Sequence, residues 1–333
     1  MEKTRLAIIG LGSVAQLIHL PNIAKVNNAV VTAVAETNKG RLNAVADKFN
    51  IAERYTDYNE MLKKSDVDAV IVATPTNTHK DVAIACLKAK KHVLVEKPLA
   101  RTYAEAKPIA DTAKRHKKIL MVGMNLRYRP DAMILKSILS SGEIGQPMYL
   151  KSGWIRRQSS KGKWFTRKQE SGGGVIIDLG ILLLDLSLWL IDFVPVTTVS
   201  TKNFSQITKT VEDTSISYLR CKNDAIINLE ASWSLPAEKD TFYLNVYCTK
   251  GYASLNPFRV YRKIEEQVIN LTPSQSESAF GLFKKSYMNE LKSFLGAVTG
   301  LHPGFSSGEE ALSRMKVVEA MYNSAARNAE IEL

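Results

Sequence analysis

Cysteine is scarce in this sequence. Three occur in 333 residues (Cys86, Cys221 and Cys248), far apart and without metal-ligand spacing. That argues against a disulfide framework and leaves buried free thiols in a reducing compartment as the expectation. Histidine is nearly as sparse, with five residues and no His-Glu-x-x-His pattern, so no metal site is expected. Charge-free apolar runs of membrane-spanning length are also missing. The most apolar stretch, 175–194, carries Asp178, Asp185 and Asp192. Three carboxylates are incompatible with a bilayer core, so no membrane span is expected. The chain opens on Met-Glu-Lys-Thr-Arg-Leu and runs straight into an apolar strand. That reads as no signal peptide and a cytoplasmic protein. No internal repeat or low-complexity tail stands out.

What is present is ordinary globular material, 45% hydrophobic and 23% charged, with chain enough for two domains of usual size. The net charge of +12 raises nucleic acid as a partner. The basic residues are spread out, however, and no nucleic-acid-binding motif accompanies them. A small anionic substrate or plain solubility accounts for the charge equally well, and no nucleic-acid partner is expected.

The first half alternates strands and helices. Arg5–Ile9 reads as a buried parallel strand, followed at once by Gly10-Leu-Gly12-Ser13-Val14-Ala15 and a helical pattern through Leu17, Ile18 and Ile23. This is a G-x-G-x-x-A fingerprint in the strand-to-helix setting that a dinucleotide requires. Gly10 permits the turn, Gly12 admits a pyrophosphate, and the helix start at Ser13 and Val14 offers N–H groups to it. The next strand, Ala29–Ala35, ends on Glu36, placed to read the ribose hydroxyls of NAD and to repel the extra phosphate of NADP. Lys39 and Arg41 lie close by, so NADP stays open beside NAD. Val67–Ala73 is a further strand, and Thr74-Pro75-Thr76-Asn77-Thr78-His79 follows at its carboxyl end. Thr78 or Asn77 could equally cap the helix over 80–90. The run His92-Val-Leu-Val then leads into Glu96-Lys97-Pro98, where ligands collect in open α/β sheets. Tyr103–His116 is a helix and Lys118–Val122 a last strand. The alternation is that of a doubly wound parallel sheet.

These segments, together with Gly123-Met-Asn-Leu-Arg-Tyr128, Ser140-Ser-Gly-Glu-Ile-Gly145 and Ser171-Gly-Gly-Gly174, resemble the glucose–fructose oxidoreductase/inositol dehydrogenase family, also called Gfo/Idh/MocA. The resemblance implies an α/β protein: a Rossmann domain over 1–123, then an α/β domain over 124–333 with a large, open, mostly antiparallel sheet. The C-terminal helices close the fold and are free to pack back on the first domain. It implies a nicotinamide-dependent dehydrogenase or reductase for the hydroxyl or keto carbon of a sugar, cyclitol or sugar acid. It also implies a homodimer or homotetramer formed through the C-terminal sheet. Lys97 would sit at the nicotinamide and hold the reacting oxygen, where an ammonium stabilises developing negative charge. Thr74, Pro75, Asn77, His79, Glu96 and Asn125 would contact the cofactor. Arg127 and Tyr128 would contact substrate, unless they are hinge residues at a domain border.

The second half carries a departure. The helical run 175–190 places Asp178, Leu182 and Asp185 at helical spacing, as a substrate-facing set. Many catalytic members of the family have a histidine where this chain has Leu182, and leucine moves no proton. Three readings remain open. Lys97 with Asp178 suffices; a tyrosine such as Tyr128 or Tyr149 supplies the proton; or the chain binds a dinucleotide as a sensor or scaffold without efficient turnover. Between 156 and 170, six basic residues (Arg156, Arg157, Lys161, Lys163, Arg167 and Lys168) flank Trp164 and Phe165. The run is either solvated or a loop that attracts an anionic sugar, with Trp164 either stacked on the ring or merely anchoring the loop. Strands are expected at 146–154, which opens the second domain, and at 215–219, 225–233, 242–248, 252–255 and 260–262, and helices at 286–298 and 308–327.

Overall fold

The computed structural model describes residues 3–157, 164–274 and 277–333. The chain forms two compact units. One holds 1–125 and 287–312, the other 126–286 and 313–333.

The first unit is built on six parallel strands: β1 (Thr4–Ile9), β2 (Ala29–Ala35), β3 (Glu53–Tyr55), β4 (Ala69–Val72), β5 (His92–Val95) and β6 (Leu120–Val122). Their spatial order is β3-β2-β1-β4-β5-β6. The strands read as unbroken apolar runs because helices cover both faces; all four residues of β4 are buried. Side chains set the helix starts. Asn38, Asp57 and Thr102 each accept a backbone N–H in the first turn of the following helix, as good N-caps do. The strand order reverses between β1 and β4, and the crevice outside their carboxyl ends is where such sheets bind ligands. The segment 287–312 finishes the sheet edge: Ser306 donates its hydroxyl to the Val122 carbonyl at 2.8 Å, and Met121 bridges to Ser307.

Among the described residues the second unit carries nine strands: β7 (Pro147–Ile155), β8 (Val196–Phe204), β9 (Thr214–Cys221), β10 (Ile226–Ser232), β11 (Thr241–Cys248), β12 (Gly251–Leu255), β13 (Arg259–Ile264), β14 (Gln267–Asn270) and β15 (Ile331–Glu332). The order is β14-β13-β12-β11-β7-β10-β9-β8-β15. Every pairing is antiparallel except β7 with β10. Alternation splits the sheet into two faces. Leu150, Leu219, Leu229, Val246 and Val260 point to the buried face, where Ser152 meets Ser187 of the helix Ile181–Leu190 at 3.4 Å. The other face shows Tyr149, Tyr247, Tyr252 and Tyr261 in one cross-strand row.

The apolar run 175–190 is this unit's core, and the most hydrophobic window within 168–190 is 89% buried. Three strands lie outside the expected set. β8 is a polar sequence, Val-Thr-Thr-Val-Ser-Thr-Lys-Asn-Phe, with little alternation to betray it. All four residues of β14 are exposed, and β15 has two residues. The first helix also differs from the regular pattern expected. It opens as a π-turn, Ala15–His19, before one α-turn, Leu20–Ile23.

Candidate active site

In the first unit the chain leaves β1 at Gly10 with φ +90, and a Cβ there would lie 2.6 Å from the Ala73 carbonyl oxygen at the end of β4. No other residue fits. At Gly12 a Cβ would meet nothing within 4 Å, so its backbone faces open space, and Ser13 and Val14 behind it are exposed. Glu36 lies at the end of β2. Its carboxylate accepts the Leu11 N–H at 3.0 Å and the Asn38 N–H at 2.9 Å, and pairs with Arg41 at 3.3 Å. Burial alone would push this carboxyl up. The two N–H groups and the Arg41 guanidinium outweigh it and hold Glu36 below the usual carboxylate range. An open backbone cradle beside an ionised carboxylate fits the pyrophosphate and ribose of NAD.

The Thr74 loop is a 3-10 turn over Thr76–Thr78, with Pro75 and Asn77 exposed. The capping alternative does not hold, since the helix His79–Lys88 begins without a side-chain cap. His79 is corrected from cofactor contact to internal brace. It is 1% exposed, with its ring nitrogens 2.8 Å from the carbonyl oxygens of Pro98 and Thr74. A ring so enclosed presents no edge to a ligand.

Lys97 leaves the carboxyl end of β5 half-buried, before a cis bond to Pro98. Glu96 beside it gives its carboxylate to His19, whose Nε2 lies 2.7 Å from Glu96 Oε1. His19 is a residue that no motif in the sequence singles out. The two residues are 77 apart in sequence, and nothing local marks the pairing. Asn125 is buried at the start of the short helical turn Asn125–Tyr128.

In the second unit the expected substrate set separates. Asp178 is half-buried in a π-turn, Ile176–Gly180, and its carboxylate accepts the indole N–H of Trp233 at 3.2 Å. Leu182 is 5% exposed among core side chains. Asp185 and Arg127 are corrected from substrate contacts to each other's partners. Asp185 is fully buried, and Arg127 meets it with two bonds at 2.6 and 2.5 Å. Arg314 adds a third contact at 2.7 Å. A carboxylate with no water needs this much compensation, and its charge is spent inside the fold. Tyr128 is 7% exposed. Tyr149 is corrected as a proton donor: it stacks on Tyr247 at 5.5 Å on the open sheet face, opposite the face that packs the Asp178 helix. Trp164 stacks on its neighbour Phe165 at 4.2 Å, which supports the loop-anchor alternative. Of the basic run, Arg156 faces Asp240 and Arg167 faces Glu170; Lys161 and Lys163 lie outside the described residues. The turn Ser171-Gly-Gly-Gly174 is packed: Glu212 takes the N–H groups of Gly174 and Ile176 at 2.9 and 3.0 Å, and Tyr322 donates to the same carboxyl at 2.8 Å.

A dinucleotide cradle at the switch of a parallel sheet, with a lysine at the next strand end, defines a nicotinamide-dependent enzyme by its parts. Residues 4–124 match the oxidoreductase family described as having an NAD-binding Rossmann fold, and residues 133–254 match the GFO/IDH/MocA C-terminal domain. The chain belongs to the Gfo/Idh/MocA family and is an NAD-dependent dehydrogenase. It is 27% identical to the D-glucoside 3-dehydrogenase of Escherichia coli (strain K12), covering 99% of this chain and 97% of that one. It is 27% identical to the myo-inositol 2-dehydrogenase of Thermotoga maritima, covering 99% and 98%. Among solved structures, levoglucosan dehydrogenase with NADH and L-sorbose superposes with a TM-score of 0.91 at 20% identity, covering 100% of this chain and 99% of that one. A probable dehydrogenase from Thermotoga maritima gives 0.85 at 25%, covering 98% of each.

Proposed function

We propose that the chain interconverts a hydroxyl and a keto group on a sugar, cyclitol or sugar-acid derivative. The observation that carries this reading is Lys97, set at the end of β5 in the same unit as the Gly12 cradle and the ionised Glu36. The names of the glucoside and inositol dehydrogenase relatives support the substrate class. Bound NAD would take up or release the hydride. Lys97 hydrogen-bonds the reacting oxygen, stabilises its negative charge and, with no histidine at position 182, exchanges its proton. Asp178, steadied by Trp233, is the second unit's candidate for a substrate hydroxyl. Glu36 favours NAD over NADP. The net charge of +12 suits a carboxylated substrate. Three buried unpaired thiols support a cytoplasmic location.

The test is turnover on neutral and acidic sugars and cyclitols by wild type, Lys97→Ala and Leu182→His. Loss of wild-type turnover in Lys97→Ala is the expected outcome. Activity in Leu182→His alone would instead favour a dinucleotide-binding sensor. Assembly through the open sheet face into a dimer or tetramer belongs to the same proposal. Tyr247 and Ile216, 42% and 46% exposed, are apolar area on that face. Tyr247→Lys should lower the mass seen by light scattering.

A further inference from the structure

Two imidazoles flank the turn that carries Lys97. His79 joins the Thr74 loop to the Pro98 carbonyl from one side. From the other, His19 reaches Glu96, the residue before the lysine, at 2.7 Å. An ionised carboxylate only accepts, so His19 Nε2 carries the proton in this bond. Both side chains are sheltered, 5% and 15% exposed. Glu96 lies against the end of β6, where a Cβ on Gly123 would come within 3.4 Å of its Oε2.

His19 closes the π-turn Ala15–His19. A π-turn places one extra residue in the turn and is often kept where a side chain must be aimed. The same segment begins at the phosphate cradle, since Gln16 N–H donates to the Gly12 carbonyl at 3.1 Å. The groups that act on Glu96 are His19, Lys97 and His79. Burial would push Glu96 up, but the His19 hydrogen bond and the neighbouring Lys97 ammonium hold it below the usual carboxylate range.

We propose that His19 is a positioning residue: through Glu96 it fixes the Lys97 turn to the helical segment that starts at the dinucleotide cradle, so that seating the cofactor and aligning the lysine are one event. The inference rests on the reading of Lys97 as the residue that holds the reacting oxygen. The bond itself does not depend on that reading.

The experiment compares wild type, His19→Leu, His19→Gln, Glu96→Gln and Lys97→Met. Hydrogen–deuterium exchange over 96–100, without dinucleotide, needs no substrate. Exchange there should rise in His19→Leu, and His19→Gln, whose amide can still donate, should restore it. With a turned-over polyol, His19→Leu should lower kcat by about thirtyfold, within the range that small misplacements cost. Its acid limb should move to higher pH, because a buried Glu96 without its donor takes up a proton more easily. Glu96→Gln should show no such moving limb. Unchanged exchange and an unchanged pH profile in His19→Leu, with Lys97→Met inactive, would overturn the role of His19. Turnover persisting in Lys97→Met would overturn the lysine reading instead, leaving the exchange result to judge the brace. If His19→Leu does not fold, Glu96→Gln carries the exchange test, and protection equal to wild type would overturn the proposal.

Discussion

Two glycine-rich turns enter π-turns in this chain, and they do opposite things. Gly10-Leu-Gly12 leads into Ala15–His19, and its Gly12 faces open space. Gly172–Gly174 leads into Ile176–Gly180, and a Cβ on Gly174 would sit 1.9 Å from the Glu212 carbonyl oxygen. Both turns present N–H groups to an anion, as helix starts do. The second already has an acceptor of its own: the Glu212 carboxyl takes the N–H groups of Gly174 and Ile176. A glycine-rich turn before a helix is therefore a ligand site only where the protein has not filled it. In the first turn glycine makes room for a guest, and in the second it makes room for the chain itself.

The largest effect expected from this difference is on folding. Gly174→Ala forces a methyl into backbone and should cost about 3 kcal/mol in denaturant unfolding. Gly12→Val should leave stability within about 0.5 kcal/mol and weaken NADH by at least about tenfold, or 1.4 kcal/mol, in a fluorescence titration. Equal stability losses at both sites would erase the distinction.

Next in size is Glu212. Removing its acceptor in Glu212→Ala leaves buried donors unmet and should cost about 2 kcal/mol, while Glu212→Gln should cost less than about 1. Burial raises the Glu212 carboxyl despite its three donors. Its stabilising contribution is therefore complete in acid and is lost as pH rises through the raised value. Glu212→Gln does not titrate, so its melting temperature should gain on wild type as pH rises above the ordinary carboxylate value. Glu36 runs the other way. Held low, it contributes fully above the ordinary carboxylate value, and that contribution fades as pH falls through its lowered one. The smallest expected change is Trp233→Phe, which removes the donor to Asp178. One hydrogen bond of about 1 kcal/mol corresponds to roughly fivefold in kcat/KM. No change in kcat/KM would detach Asp178 from substrate.

Much of the first unit was legible in the sequence because its signals are local. The helix Tyr103–His116 and the strand Ala29–Ala35 fall where patterning places them, and the fingerprint, Glu36 and Lys97 are read from adjacent residues. What escaped depends on distance along the chain or on the pairing of faces. Glu96 and His19 meet across 77 residues. Asp185 finds Arg127 and Arg314 from segments 58 residues before it and far beyond it, so an acid on an apolar helix looked like a site. Tyr149 could not be assigned to a face until β7 was paired with β11. The two π-turns have no sequence signature that separates them from ordinary helix.

The Arg127–Asp185–Arg314 cluster also bears on the order in which the chain is made. Synthesis runs from the N-terminus, at ~5–20 residues per second. Asp185 emerges with Arg127 already present, but Arg314 is made only later. The strand edge at β6 waits in the same way for Ser306 and Ser307. Both units thus hold an open place for a segment that is made later. A product released early would carry a half-compensated buried acid in one unit and an unfinished sheet edge in the other, and both mark it for proteolysis.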